Sequence, residues 1–283
     1  MSDEWGFGMA YAFQGAGALD YFPCRYGGSR RLFRGPPRDP GQNYVAVLGG
    51  SETYGRFVQT PYPDLLQEWL GLPVVNLGCQ NAGLDVFTQD SEVLALANRA
   101  RAVVVQVMGA QNLSNRYYSV HPRRNDRFIA ATPALRALYR NIDFTEFAFT
   151  SHLLTALKRA GRDRFELVAQ ELRDVWLERM KTLLDQISVP VVLVWIGDRP
   201  PQPHKARADL TGSPLLVDAE MIATLRPGLA GCAQITLSRA ARAEGLRGMA
   251  FTPLEAPMAK GTLGPAAHRE IATGLAPLLG ALV

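Results

Sequence analysis

The feature that most constrains this chain is a recurrence of short apolar runs, at 44–48, 73–77, 102–108 and 190–196, with amphipathic stretches between them. The runs at 102–108 and 190–196 are rich in Val, Leu and Ile with little alternation, the pattern of parallel strands covered on both faces. Helical stretches at 61–70 and 90–100 separate the first three runs, so the order of elements predicts an α/β fold. A long helix is expected from residue 164, where Phe165, Val168, Leu172, Trp176, Met180 and Leu183 recur at three- and four-residue steps. A short helix at 218–226, fifth-strand material at 232–237 and a last helix over 265–281 complete the pattern. With 283 residues, 47% hydrophobic and 20% charged, the chain can bury a substantial core in one elaborated domain.

The expected architecture is a three-layer, doubly wound parallel sheet over residues 43–283. Residues 1–42, rich in Gly, Arg and aromatics and ending in Gly35-Pro36-Pro37-Arg38-Asp39-Pro40, read as a segment that covers this domain. The stretch 112–160 shows no convincing strand and reads as an inserted helical cap, placed to border a ligand crevice above the carboxyl ends of the strands.

Directly after the first run stand Gly49-Gly50-Ser51-Glu52-Thr53-Tyr54-Gly55. Two glycines before the serine allow a sharp exit from the strand and leave its hydroxyl unshielded, which suits a nucleophile. The same residues also suit a plain strand-to-helix turn in which Ser51 caps backbone amides. Gly78, in Asn76-Leu77-Gly78-Cys79-Gln80-Asn81, follows the second run, and Gly109-Ala110-Gln111-Asn112 follows the third. In a doubly wound sheet three such strand ends converge on one crevice. The Gly78 N–H and the side-chain amide of Gln111 or Asn112, with the Ser51 N–H, are then candidate oxyanion donors. Glu52, Tyr54, Asn81, His121, Arg123 and Arg124 are candidates for contacting the substrate.

These blocks resemble the SGNH, or GDSL-type, hydrolases. Gly49-Gly50-Ser51 is similar to their Gly-Asp-Ser, Asn76-Leu77-Gly78 to their Asn-x-Gly, and Gly109-Ala110-Gln111-Asn112 to their Gly-x-Asn-Asp. The resemblance implies a flavodoxin-like sheet and a serine acting on an acyl ester of a carbohydrate or other polar small molecule. The stretches Tyr21 to Gly27 and His121 to Arg127 also resemble a smaller bacterial family of this kind, a likeness that implies no activity. The chain departs from the SGNH pattern at Gly50, where the family has Asp. Ala267-His268-Arg269-Glu270-Ile271-Ala272 resembles the start of the family's last helix, which puts Ala259 and Thr262 where its Asp-x-x-His pair would stand.

The general base is therefore open. His268, in the first turn of the last helix and on its apolar stripe, would be held neutral near a helix N-terminus and is the leading base; the alternative is a hydrogen-bonded core histidine. His121 competes from the expected cap, while His152 and His204 read as structural or surface residues. Asp198 and Glu255 are the acids that could orient a base. Two functions follow: a serine hydrolase or acyl transferase centred on Ser51, or a non-catalytic relative that binds a glycan or a protein partner in the same crevice.

Net charge is +4, with arginines crowded at 25–38 and 123–127. No nucleic-acid-binding motif accompanies them, and they read as solvated loops. Cys24, Cys79 and Cys232 are widely spaced, so neither a zinc site nor a disulfide framework is expected, and reduced thiols fit the cytoplasm. The start of the chain shows no export signal. The longest apolar run, Val189 to Gly197, falls short of the roughly 20 residues that span a bilayer. No metal or cofactor is expected, because His-Glu-x-x-His, Cys-x-x-Cys and phosphate-loop patterns are all missing.

Overall fold

Seven strands form in the computed structural model, which describes residues 17–41, 43–205 and 207–283. They are β1 (Val45–Gly49), β2 (Val74–Gly78), β3 (Ala102–Gln106), β4 (Tyr118–His121), β5 (Arg124–Ala131), β6 (Val191–Gly197) and β7 (Gly231–Thr236). Five of them make one sheet in the order β2-β1-β3-β6-β7, with every pairing parallel. The chain steps outward from β1 to β2 and returns to the other side of β1 for β3, so the winding reverses there. The carboxyl ends of β1 and β3 face the crevice that such a reversal opens.

Near-continuous apolar strands occur because both faces are covered. Ala46, Leu48, Val103, Val105 and Leu193 pack into one core with the helices Ser91–Arg99 and Arg162–Asp185. Val45, Val47, Val104, Val192 and Val194 pack into the other with the helices Tyr62–Leu70 and Pro265–Gly280. Three layers result. No helix among the described residues is long and apolar enough to cross a membrane.

Between β3 and β6 the stretch expected as a helical cap does hold the helices Pro133–Leu138 and Thr150–Ala160, but it also holds the antiparallel hairpin β4–β5. The hairpin escaped the sequence reading because only three of the eight β5 residues are buried. One of these is Asn125, whose Oδ1 accepts from Gly83 N at 2.8 Å and whose Nδ2 donates to His121 O at 3.0 Å.

The N-terminal segment is fastened to the sheet beside Ser51. Phe33 is buried in the larger core, and the guanidinium of buried Arg34 donates to the carbonyls of Tyr54, Gly55, Val58 and Gln59. It thereby satisfies the free carbonyls at the end of the short helix Ser51–Tyr54, where a cation is favourable.

Candidate functional site

Ser51 is the first residue of that short helix, which starts immediately beyond β1. It does not cap the helix; its Oγ donates to Asn81 Oδ1 at 3.2 Å and accepts from Asn81 N at 3.0 Å. The glycines before it serve a different end from the one expected. Neither has a positive φ, and a Cβ on Gly49 would overlap Thr53 Oγ1 and Gln106 rather than shield the hydroxyl.

That tight approach creates a buried polar frame under the serine. Gln106 Oε1 accepts from Gly50 N at 2.9 Å and from Thr53 Oγ1 at 2.6 Å, while its Nε2 donates to Glu52 Oε2 at 2.7 Å. Because the Thr53 proton points to Gln106, the Tyr62 hydroxyl donates to Thr53 across 2.7 Å. Asn76 Nδ2 donates to Thr53 O at 2.9 Å. Ser51 and Glu52 thus stand on a ridge between two cavities of about 260 Å³ each. One is walled by Asn81, Gln106, Gly109, Gln111 and Asn112; the other by Ile196, Asp198, Leu237, Thr262 and His268. The three strand ends do meet, and Ser51 lies where they meet.

The candidate donors sort differently from the sequence expectation. Gly78 is inside β2, paired with Gly49, and its N–H is already committed to Asn76 Oδ1 at 2.9 Å. It is not an oxyanion donor. Its missing side chain instead lets the backbone of Thr53 and Tyr54 cross closely. The amide that does face Ser51 belongs to Asn81, whose φ of +55° turns the chain in the left-handed region that Asn tolerates.

Asn112 is buried: one Nδ2 hydrogen is donated to Asn81 O at 3.0 Å, and Oδ1 accepts from Thr150 Oγ1 at 2.8 Å. It ties the helix Thr150–Ala160 to the Asn81 turn, and the second hydrogen of its Nδ2 has no acceptor among the described residues. Gln111 also lines the Ser51 cavity; its Oε1 is buried with no protein donor, and its Nε2 makes no hydrogen bond within the described residues. Both amides keep an N–H for a ligand, and Gln111 Nε2, with neither hydrogen committed among the described residues, is the freer of the two.

His268 lies on the cavity opposite Asn81, in the first turn of the last helix as expected, but it is fully buried. Its Nδ1 accepts from Tyr62 N at 3.1 Å, and the ring stacks on Tyr62. The proton therefore sits on Nε2, leaving that nitrogen a donor and not a base. Burial, reinforced by the Arg34 cation, pushes the pKa of the ring down to about 3, which makes it a weak proton acceptor.

None of the four histidines hydrogen-bonds to Ser51. His121 Nδ1 accepts from the N–H groups of Arg123 and Arg124 in the hairpin turn. These three residues and Tyr54 line a neighbouring cleft, not the two cavities beside Ser51. His204 pairs with Asp218 at 2.8 Å, and His152 packs on Phe147. Glu255 is committed to Arg56 at 3.1 Å and to the cap at Thr252, whereas Asp198 lines the His268 cavity. Among the described residues no group of three or more His, Cys, Asp or Glu is placed to hold a metal ion.

Gln106 is essential to this frame and was passed over in the sequence, where it shows as a lone amide inside an apolar run; Asn76 was noted only as part of the Asn-x-Gly likeness. Asp126, which accepts from Asn81 Nδ2 at 3.1 Å, carried no comparable signal.

In fold the chain is similar to BT4096, described as a gut microbial diltiazem-metabolizing enzyme, at 12% identity and a TM-score of 0.42. The likeness covers 86% of this chain and 48% of that one, so the chain spans about half of that protein's length. It is also similar to a family two carbohydrate esterase from Clostridium thermocellum, solved in complex with cellohexaose, at 9% identity and a TM-score of 0.41, over 89% of this chain and 67% of that one. A family two carbohydrate esterase from Corynascus thermopiles (Myceliophthora fergusii), carrying a carbohydrate binding domain, is similar at 11% identity and a TM-score of 0.39, over 88% of this chain and 73% of that one. No curated protein matches the sequence. The family described as Domain of unknown function (DUF6473) matches over residues 9–283. With all but the first eight residues matched, the chain belongs to the DUF6473 family.

Proposed function

We propose that this protein is a ligand-binding relative of the SGNH hydrolases, in which Ser51, the Asn81 N–H and Gln111 hold a glycan or other polar small molecule without cleaving it. The observation that carries this reading is the Tyr62 N–H donated to His268 Nδ1. It occupies the lone pair that a general base would use. The Ser51 proton points to Asn81 Oδ1, an amide oxygen that accepts a hydrogen bond but does not take up a proton at neutral pH. A serine without a base is a poor nucleophile.

One observation favours the second reading, acyl transfer. The Asn81 N–H reaches Ser51 Oγ at 3.0 Å and Gln111 lines the same cavity, so two amides beside the serine are available as oxyanion donors. A fluorophosphonate probe with mass spectrometry, run beside acetate and butyrate p-nitrophenyl esters, separates the two. The expected result is no adduct at Ser51 and the same ester turnover in wild type and S51A. A Ser51 adduct, or turnover lost in S51A, overturns the binding-only reading.

A further inference from the structure

Two arginine clusters far apart in sequence meet across one open cleft. Arg25, Arg30 and Arg31 come from the N-terminal segment, and Arg123, Arg124 and Arg127 from the β4–β5 hairpin. Arg31 Nη2 donates to Pro122 O at 3.4 Å and joins the two walls. The cleft measures about 830 Å³, room for more than a single oxyanion, and no carboxylate lines it. Arg31 has Asp90 at 3.6 Å, whereas the other five arginines have no carboxylate partner among the described residues.

Like charges gathered around one concave space raise the local positive potential and attract anions. The planar guanidinium fork matches phosphate and sulfate oxygens in bidentate fashion. His121 adds a donor of the same sense, because its Nδ1 is occupied by the Arg123 and Arg124 N–H groups and its proton is on Nε2. The cleft also adjoins the Ser51 crevice. Tyr54, in the Ser51 helix, and Gln80, next to Asn81, form part of its wall.

We infer that this arginine cleft binds a ligand bearing several phosphate or sulfate groups, whose uncharged remainder reaches the Ser51 crevice. The inference rests on the reading of that crevice as a ligand site.

Isothermal titration calorimetry with inositol hexakisphosphate and sucrose octasulfate, each against its uncharged parent, tests it at about 150 mM salt, where diffuse attraction is screened. Wild type should bind at least one polyanion and neither neutral parent. R30S/R123S/R124S should weaken binding by at least about tenfold. R140S/R159S/R162S, with the same loss of charge at exposed positions outside the cleft, should change it less than about threefold. R25S/R127S tests the same cleft independently if the first triple variant melts early. Binding of the phosphate or of the sulfate compound alone identifies which ester is recognised and supports the inference. No binding of either, or equal weakening in the two triple variants, overturns it. Since the titration reads binding at the arginines and the covalent probe reads chemistry at Ser51, a failure here is separate from a Ser51 adduct.

Discussion

At the scale of single residues, the site is governed by which polar atoms are already satisfied. Gln106 occupies a buried strand position and holds the Gly50 N–H, the Thr53 hydroxyl and the Glu52 carboxylate at once. Replacing it with leucine leaves the Gly50 N–H without an acceptor, which costs about 1–3 kcal/mol. Urea unfolding of Gln106→Leu should show that loss, and a midpoint equal to wild type would mean another group accepts the amide. Asn81 works in the opposite sense, toward the crevice, with its N–H and Oδ1 on Ser51 and its Nδ2 on Asp126. Its position after Gly78 and Cys79 was visible in the sequence; that its amide, and not that of Gly78, would face the serine was not, because a left-handed turn redirects it.

At the scale of elements, the segment before the sheet and the helix carrying Ser51 behave as one unit. Arg34 donates to four carbonyls from residues 54–59, and charged hydrogen bonds of this kind contribute about 1.5–3 kcal/mol each before the cost of burial. Arg34→Met should lower stability by at least about 2 kcal/mol and speed amide exchange in residues 55–59. Arg34→Lys should fail to restore protection, since an ammonium lacks the fork that reaches both Gly55 and Val58. Exchange unchanged in Arg34→Met would show that the helix end is satisfied without it. The hairpin β4–β5 is the element that periodicity missed, and the reason is physical: only three of the eight β5 side chains are buried, so no regular apolar alternation is needed.

At the scale of the whole molecule, His268 links the last helix to the chain 206 residues earlier through the Tyr62 amide, and makes stability depend on pH. The ring titrates near 6.5 when unfolded and near 3 when folded, so between these values the unfolded chain takes up a proton that the folded one refuses. Stability from this group is complete above pH 6.5 and falls with decreasing pH by up to about 1.4 kcal/mol per unit until about pH 3. His268→Asn, with Oδ1 available to the same amide, should reduce the stability difference between pH 7 and pH 5 by about 2 kcal/mol in urea titrations. An unchanged difference would place the titrating group elsewhere. The apolar runs and helical periodicities determined by themselves the parallel α/β sheet and the turn that presents Ser51, because burial on both faces of a strand or one face of a helix must be written into every segment locally. Tertiary structure alone decided that the Gly78 N–H is spent, that Tyr62 occupies His268, and that two distant arginine clusters share one cleft. Hydrogen bonds and fields join atoms by distance in space, and nothing in the local pattern of either partner records the other.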